Sequence, residues 1–333
     1  MSGLTAAIAA GAILPLSLAV DRLWGEPPVT WHPVVAMGKA LERMGRWLPS
    51  GPPGAAFVAG AAAWTIGASG VLGIGWLAHA ALLALPLESA FAHLRLTPGL
   101  GDIVRAVLAA ALLKPLLALR CLLEEVVAVE LALGHSLAAG RERVARICSR
   151  DTGSLGVAAL RETTVESLAE NLADSVIAPL FWFAVAGLPG AALYRWANTA
   201  DAMWGYRDPA RQWSGKFAAR ADDVLSWIPS RLAALLLCPV GRYVPLRREA
   251  RRTPSPNGGW PMAAMASRLG VRLGKPGVYA INADAREIES VDVSRAVALA
   301  RRAAWCGAFA LGLALAAFGA LEASPGALLG RWW

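Results

Sequence analysis

Three long runs of apolar residues predict helices that cross a membrane. They cover residues 4–20, 54–87 and 303–321. A span needs about 20 residues, so the run 54–87 is long enough for one tilted helix or a tight hairpin. The run 4–20 is expected to be a retained helix and not a signal peptide, because no Lys or Arg precedes Asp21 and no small-residue cleavage site is present.

Two further apolar runs are less regular. The run 103–123 contains three basic residues, and a charge at the bilayer centre costs about 2.5–3.5 kcal/mol on insertion scales. The run 176–193 is broken by proline and glycine, which is tolerated at membrane depth only inside protein or along a cavity. We predict about four to six spans. Because the basic loop 198–227 would otherwise fall outside the cell, we expect 176–193 and 228–240 to pack without fully crossing.

Charged residues are frequent between residues 124 and 302, where shorter apolar segments are embedded among them. We predict one helical domain over residues 1–333. Its fold class is all-α: a multi-pass helical integral membrane protein with a substantial polar helical part that faces the cytoplasm. The region 124–302 is expected to carry the chemistry.

Composition and charge support a membrane protein. Of the 333 residues, 56% are hydrophobic and 17% are charged, against about 25% charged in soluble domains. The 32 basic and 24 acidic residues give a net charge of +8. The basic residues are interleaved with apolar runs, which argues against nucleic-acid binding. They follow the first helix and cluster in the middle and late segments, so the amino terminus is expected outside and the polar region in the cytoplasm.

Four carboxylates recur every four residues in the middle of the chain: Glu162, Glu166, Glu170 and Asp174. On a helix this spacing makes a slanting acidic stripe. Like charges four residues apart destabilise a helix by a few tenths of a kcal/mol per pair, so positive partners are expected. The stripe is either a solvated face with counter-ions or a face paired with Mg²⁺ or Arg. The apolar segment that follows favours the second alternative.

Three other polar clusters flank apolar runs. They contain Arg150 and Asp151, then Asn198, Asp201 and Arg207, and then Arg220, Asp222 and Asp223. Each alone is more often structural: a turn, or an acid paired with a nearby Arg. Together, charged clusters at a membrane edge favour a functional site.

Two loops offer weaker candidates. His32 follows the first helix and is either a metal ligand or proton shuttle, or, more commonly, a structural residue. The loop Ser255–Pro261 contains Asn257 and two glycines, and is either an anion-binding nest or a plain linker. The chain contains no Walker, dinucleotide-binding, zinc-protease or nucleophile-elbow motif. The residues therefore indicate a membrane protein with a site for an anionic substrate and a divalent cation.

Several motifs in one order resemble the cobalamin-biosynthesis family CobD/CbiB, the adenosylcobinamide-phosphate synthases. These are D-x-x-x-G-E-P…H-P-V (21–34), R-D-T-x-x-L (150–155) and E-S-x-A-E-N-x-x-D-x-x-x-A-P-L (166–180). The motifs N-T-x-D-x-M-x-G (198–205), A-R-x-D-D (219–223), I-P-x-R-L (228–232) and S-P-N-x-G-x-P-x-A-A-M-A (255–266) follow. The resemblance covers about residues 21–275 and departs at Ser226 and at 278–289.

The resemblance implies an ATP-dependent amide ligase of the bacterial inner membrane. Such proteins join (R)-1-amino-2-propanol, or its phosphate, to the f-side carboxylate of adenosylcobyric acid. ATP is then a co-substrate, Mg²⁺ the metal and the corrinoid a substrate. Possible partners are the lipid bilayer and other late enzymes of the pathway.

The resemblance also implies roles for the motif residues. Catalytic roles fall to Glu166, Glu170, Asp174, Asp201 and Asp223. Substrate-binding roles fall to His32, Arg150, Asp151, Asn171, Asn198, Arg207, Arg220 and Asn257. Metal ligands are expected at Glu170, Asp174, Asp222 and Asp223. The rival interpretation is a non-catalytic corrinoid carrier or a scaffold for the pathway enzymes, which would explain the missing nucleotide loop.

Overall fold

The structure, a computed structural model, describes residues 2–93, 99–148, 150–205, 211–238 and 243–322. Its helices, numbered in chain order, are α1 (Ser2–Trp24), α2 (Pro33–Gly45), α3 (Pro53–Ala84), α4 (Leu87–His93), α5 (Leu100–Leu113), α6 (Leu119–His135), α7 (Leu137–Val144), α8 (Val157–Leu172), α9 (Ala178–Trp204), α10 (Lys216–Leu225), α11 (Trp227–Leu237), α12 (Tyr243–Ala250), α13 (Gly259–Leu269) and α14 (Ser290–Glu322). A 3-10 turn, Lys114–Leu116, follows α5, and a π-helical turn, Ala173–Ile177, lies between α8 and α9.

Within the described residues, four helical segments are long and apolar enough to cross a membrane. They are Gly3–Trp24, Pro53–Phe91, Val157–Trp204 and Ser290–Leu321. Three of them contain the long apolar runs 4–20, 54–87 and 303–321. The fourth contains the run 176–193, which the sequence predicts to pack without fully crossing, although this helix is long and apolar enough to span. A bent pair of segments, Leu100–Leu116 and Leu119–His135, adds a fifth if it counts as one span. The chain is an all-α multi-pass membrane protein, as its sequence predicts.

The chain divides into two compact units that are interleaved in sequence. The first contains Met1–Leu117, Ala178–Leu225 and Ala308–Trp333, and the second contains Ala118–Ile177 and Ser226–Gly307. The sequence predicts a single domain over residues 1–333. The chain passes between the units four times without a polar linker, so no change of composition marks their boundaries.

In the first unit, α3 packs along α9 at glycine positions. A Cβ atom at Gly67 would overlap the ring of Trp196, and one at Gly75 would lie 2.8 Å from the Cα atom of Pro189. Small residues allow this close approach, as in other membrane helix pairs. Helix α9 bends at Gly187, where a φ of +62° favours glycine.

Two of the three basic residues of the run 103–123, Arg105 and Lys114, have partners in the first unit. Lys114 is buried, and its Nζ atom lies 3.1 Å from Glu26 Oε2 and 3.5 Å from Asp21 Oδ1. Arg105 donates hydrogen bonds to the carbonyl oxygens of Leu82 and Leu85 at the end of α3. These contacts offset part of the free-energy cost of placing Arg105 and Lys114 within a membrane-spanning run.

The second unit is built around α8, which packs against α6, α7 and α13. Strands β1 (Leu273–Lys275) and β2 (Tyr279–Ile281) form an antiparallel hairpin that also contacts α8. Its turn is closed by a 2.9 Å hydrogen bond from the Val278 N–H to the Lys275 carbonyl. Proline followed by a glycine of φ +72°, Gly277, is typical of a type II turn. The sequence analysis did not predict this hairpin.

Candidate functional site

Helix α8 is buried on both its apolar and its acidic side. Val165, Leu168 and Leu172 are fully buried, as their spacing predicts. Glu162 and Glu166 are only 5% and 2% exposed. A solvated acidic face, one of the two predicted alternatives, is therefore excluded for these two carboxylates. Buried carboxylates require paired charges and hydrogen bonds, which other segments of the second unit supply.

Arg150 is the partner of Glu166. Its Nη2 atom lies 2.6 Å from Glu166 Oε2, and Nη1 donates to the Thr163 hydroxyl at 2.9 Å. Burial opposes the charge of Arg150, but the carboxylate of Glu166 and the hydrogen bond to it outweigh burial and raise the pKa of Arg150. The pair confirms the prediction that arginine offsets the acidic stripe. Because its guanidinium binds the Glu166 side chain, Arg150 holds the Glu166 carboxylate in position.

Arg272 is the partner of Glu162, and the sequence analysis did not predict it. Its Nη2 atom lies 3.0 Å from Glu162 Oε1, and the Gly274 backbone also donates to this carboxylate. The hydrogen bond to Glu162 is the main reason that the pKa of Arg272 is raised. The two residues are 110 positions apart in sequence, so spacing carries no signal for the pair.

Tyr279, in strand β2, lies beside Glu166 and was also missed. Burial first, and then the charge of Glu166 and a hydrogen bond to it, raise the pKa of Tyr279 above its usual value. Its hydroxyl also lies 3.9 Å from the Met262 sulfur. The Pro276–Gly277 turn is the one sequence signal that could have located the hairpin that carries Tyr279 and follows Arg272.

The last two carboxylates of the stripe lie where α8 changes geometry. Glu170 is in the final turn of α8, and Asp174 is in the π-helical turn that follows. Such turns are rare and occur frequently at functional sites. Between them, the Asn171 amide donates to the Ser167 carbonyl at 2.9 Å.

The loop that contains Asn257 lies against Glu170. A Cβ atom at Gly258 would lie 2.6 Å from Glu170 Oε1. The N–H groups of Asn257 and Gly258 both donate to the Ser255 hydroxyl, at 3.2 and 3.0 Å. These two N–H groups therefore have a partner within the loop, which contradicts their use in the predicted anion nest. Asn257 is nevertheless in the same unit as the acidic stripe.

Asp151 forms a local turn beside Arg150. Its Oδ1 atom accepts a hydrogen bond from the Gly153 N–H at 2.8 Å. This is the structural alternative that the sequence left open. The turn is fixed to α7 by Thr152, whose hydroxyl donates to the Arg141 carbonyl at 3.1 Å.

The remaining predicted acids and amides lie in the first unit. Asn198 Oδ1 accepts from Arg195 at 3.3 Å. Asp201 is close enough to Asp223 to interact electrostatically, and Arg220 pairs with Asp223 at 3.5 Å. These residues, with Asp222 in α10, belong to a different unit from Glu166 and Glu170. Arg207 lies outside the described residues.

His32 caps α2 in the first unit. Its Nδ1 atom accepts from the Val34 N–H at 3.2 Å, so the proton of the neutral ring is on Nε2, which lies 3.0 Å from Glu26 Oε2. Glu26 also pairs with Lys114. Both ring nitrogens thus have protein partners, which agrees with the structural alternative.

No three His, Cys, Asp or Glu side chains are grouped so that they could hold a metal ion in the part of the chain that the structure describes. The four cysteines, all within the described residues, are free thiols and belong to no such group. Mg²⁺ commonly uses one or two carboxylates, with substrate phosphates and water completing its shell. Asp174, in the π-helical turn, is a carboxylate of this kind.

Comparison with known proteins gives a consistent result. The model of the CobD/Cbib protein family matches residues 14–300. A probable cobalamin biosynthesis protein CobD of Methanothermobacter thermautotrophicus is 38% identical over 280 residues, 81% of this chain and 86% of that protein. Cobalamin biosynthesis protein CobD of Chromobacterium violaceum is 39% identical over 317 residues, 91% and 96% of the two chains. No solved structure gives a significant match. The chain therefore belongs to the CobD/CbiB family of cobalamin-biosynthesis proteins.

Proposed function

We propose that this chain is an amide ligase of the late corrin pathway. It joins (R)-1-amino-2-propanol or its phosphate to the f-side carboxylate of adenosylcobyric acid, and ATP supplies the driving force. Two facts support the proposal: membership of the CobD/CbiB family and the buried, arginine-paired acidic face of α8. The single observation that carries it is the Arg150–Glu166 pair at 2.6 Å, one helical turn before Glu170.

The reaction requires an activated carboxylate and a deprotonated amine. The substrate carboxylate attacks the γ-phosphorus of ATP and becomes an acyl phosphate, with release of ADP. The amine nitrogen then attacks the acyl carbon, inorganic phosphate leaves, and a carboxylate accepts the amine proton. We assign this base role to Glu170, which lies in the final turn of α8, one helical turn after Glu166, and beside the Gly258 backbone.

Glu166 and Arg150 keep the site preorganised. A carboxylate that is 2% exposed cannot reorient freely, and its ion pair fixes the helical turn before Glu170. Tyr279 and Arg272 add contacts from the hairpin. Holding a catalytic group in place is a major source of rate enhancement.

ATP and Mg²⁺ belong to the same proposal. Asp174 is the residue of the stripe that would hold the metal, together with phosphate oxygens and water. Bound Mg²⁺ neutralises the phosphate charge during transfer. The chain has no Walker motif, so the nucleotide is bound without a glycine-lysine phosphate loop.

The proposed orientation places the polar region on the cytoplasmic side of a bacterial inner membrane. Glu142 is an exposed residue of α7 in that region. A cysteine at position 142, in a variant whose other four cysteines are alanine, should react with an impermeant maleimide only after spheroplasts are permeabilised. Labelling in intact spheroplasts would contradict this orientation.

A ligation assay tests the proposed reaction. Purified protein in nanodiscs is given adenosylcobyric acid, Mg²⁺ and either amine, with or without ATP, and products are identified by mass spectrometry. We expect amide product only when ATP is present, and the preferred amine identifies the substrate. Saturable corrinoid binding without product would instead support the carrier or scaffold.

A further inference from the structure

Arg231, in α11 of the second unit, lies over two indole rings. Its guanidinium carbon lies 4.4 Å from the ring centroid of Trp227 and 4.8 Å from that of Trp260. Trp227 is 54% exposed, whereas Trp260 is buried. Stacking on two aromatic faces fixes the plane of the guanidinium, which lysine could not reproduce.

The fixed guanidinium binds the loop between α12 and α13. Nη1 donates to Asn257 Oδ1 at 2.8 Å, and Nη2 donates to the Pro256 carbonyl at 3.2 Å. Nη1 also lies 2.7 Å from the Trp227 carbonyl in its own helix. One side chain therefore ties α11 to two successive residues of the loop.

The loop in turn confines Glu170. The Ser255 hydroxyl accepts from the Asn257 and Gly258 N–H groups, so the bound residues and Gly258 form one rigid turn. The Gly258 backbone lies so close to Glu170 Oε1 that a Cβ atom would be 2.6 Å from it. A shift of this turn by an ångström would change the space in which the Glu170 carboxylate rests.

We propose that Arg231 is a positioning residue that fixes Glu170 through the 255–258 turn. Arg231 belongs to the motif I-P-x-R-L (228–232), which by itself indicates no role for this side chain. The proposal rests on the proposed function, in which Glu170 is the base. In this proposal, Trp227 and Trp260 hold the guanidinium in place, and the 255–258 turn transmits its position to the Glu170 carboxylate.

The kinetic test uses paired variants. Arg231→Met should lower kcat by about 10- to 100-fold, the scale of an ångström displacement, with KM for the corrinoid within about twofold. Trp227→Ala should lower kcat by about 3- to 10-fold, whereas Trp227→Phe, which keeps an aromatic face, should stay within about twofold. Arg252→Met is the control, because Arg252 is half-exposed and pairs only locally with Glu249.

A second readout does not depend on catalysis. In Arg231→Met, amide hydrogen exchange at Asn257 and Gly258 should accelerate about tenfold or more, without a matching change in α6. If Arg231→Met accelerates exchange but the wild type makes no amide, the clamp is retained and the proposed function is rejected. Unchanged exchange, or unchanged kcat in an active enzyme, would overturn the clamp. If Arg231→Met does not fold, the Trp227 pair decides by the same two measurements.

Discussion

Helices α3 and α8 differ in which of their side chains are buried against the rest of the protein. Helix α3, in the first unit, has no charged residue, and its buried positions are small residues and one leucine. Five of its large apolar side chains, among them Ile66, Ile74 and Trp76, are more than 60% exposed. Helix α8, in the second unit, buries two glutamates and three hydroxyl-bearing residues together with its apolar face.

The difference shows that the buried positions of α3 serve packing, whereas those of α8 also hold charged groups. Lipid is as apolar as leucine, so α3 gains its stability from close backbone approach at glycines. Helix α8 carries buried charges that cost free energy and must be paired by arginines from outside the helix. Charges retained at such a cost are a functional hypothesis by default, whereas the α3 surface is explained by the bilayer alone.

The largest expected effect is the loss of the Arg150 partner. Arg150→Met leaves Glu166 buried without its cation and should destabilise the protein by about 3–5 kcal/mol. Chemical unfolding in detergent would measure it. The double variant Arg150→Met/Glu166→Gln removes the charge as well and should recover most of the loss. A double variant as unstable as the single one would show that the ion pair is not the cause.

A glycine in α3 should give the next largest effect. Gly67→Val forces a side chain into the ring of Trp196 and should cost about 1–3 kcal/mol or more by overpacking. Gly70→Val is the matched control, because nothing lies within 4 Å of a Cβ atom there. Thermal unfolding of both variants, compared with wild type, tests the difference. Equal melting temperatures would refute close packing at Gly67.

A smaller effect is expected at Arg272. The Arg272 side chain is 39% exposed, so water can replace part of its electrostatic stabilisation of the Glu162 carboxylate. Arg272→Ala should cost about 1 kcal/mol, less than Arg150→Met. Denaturant midpoints for the two variants measure the ratio. A larger loss at Arg272 would mean that the hairpin, not the turn at Arg150, is the main support of α8.

The smallest effect is a pH dependence from Tyr279. Its pKa is raised by burial and then by Glu166, so the unfolded chain releases this phenolic proton at lower pH than the folded protein. The associated stability is complete below about pH 10, the ordinary tyrosine value, and is lost as the pH rises toward the raised pKa. Tyr279→Phe should flatten this alkaline loss, as measured by unfolding at several pH values. An unchanged slope would contradict a shift at Tyr279.

Local patterns predicted α8 better than they predicted its surroundings. The four-residue spacing of the acidic residues predicted the stripe on α8, and the apolar run 54–87 predicted the position of α3. Arg150 lies close in sequence to Glu166 and was already a candidate. Arg272 is 110 residues from Glu162, and a single sequence contains no signal for such a pairing.

The grouping of site residues also needed the structure. The sequence predicts Asp201, Asp223 and Glu170 as residues of one site, and this grouping stays a prediction, because motif order along the chain does not say which segments belong to one compact unit. Asp201 and Asp223 belong to the first unit, and Glu170 belongs to the second. His32 was a candidate by residue type, but its backbone and Glu26 contacts depend on a turn that spacing does not reveal.

The most direct test of the central claim is the rate of amide formation in Glu170→Gln at saturating substrates. Glu142→Gln, an exposed acid of the same unit, is the control. If Glu170 is the base, its substitution should lower kcat by about 100-fold or more while corrinoid binding, followed by corrin absorbance, is retained. A Glu170→Gln enzyme as fast as the control would contradict the claim that the acidic face of α8 performs the ligation.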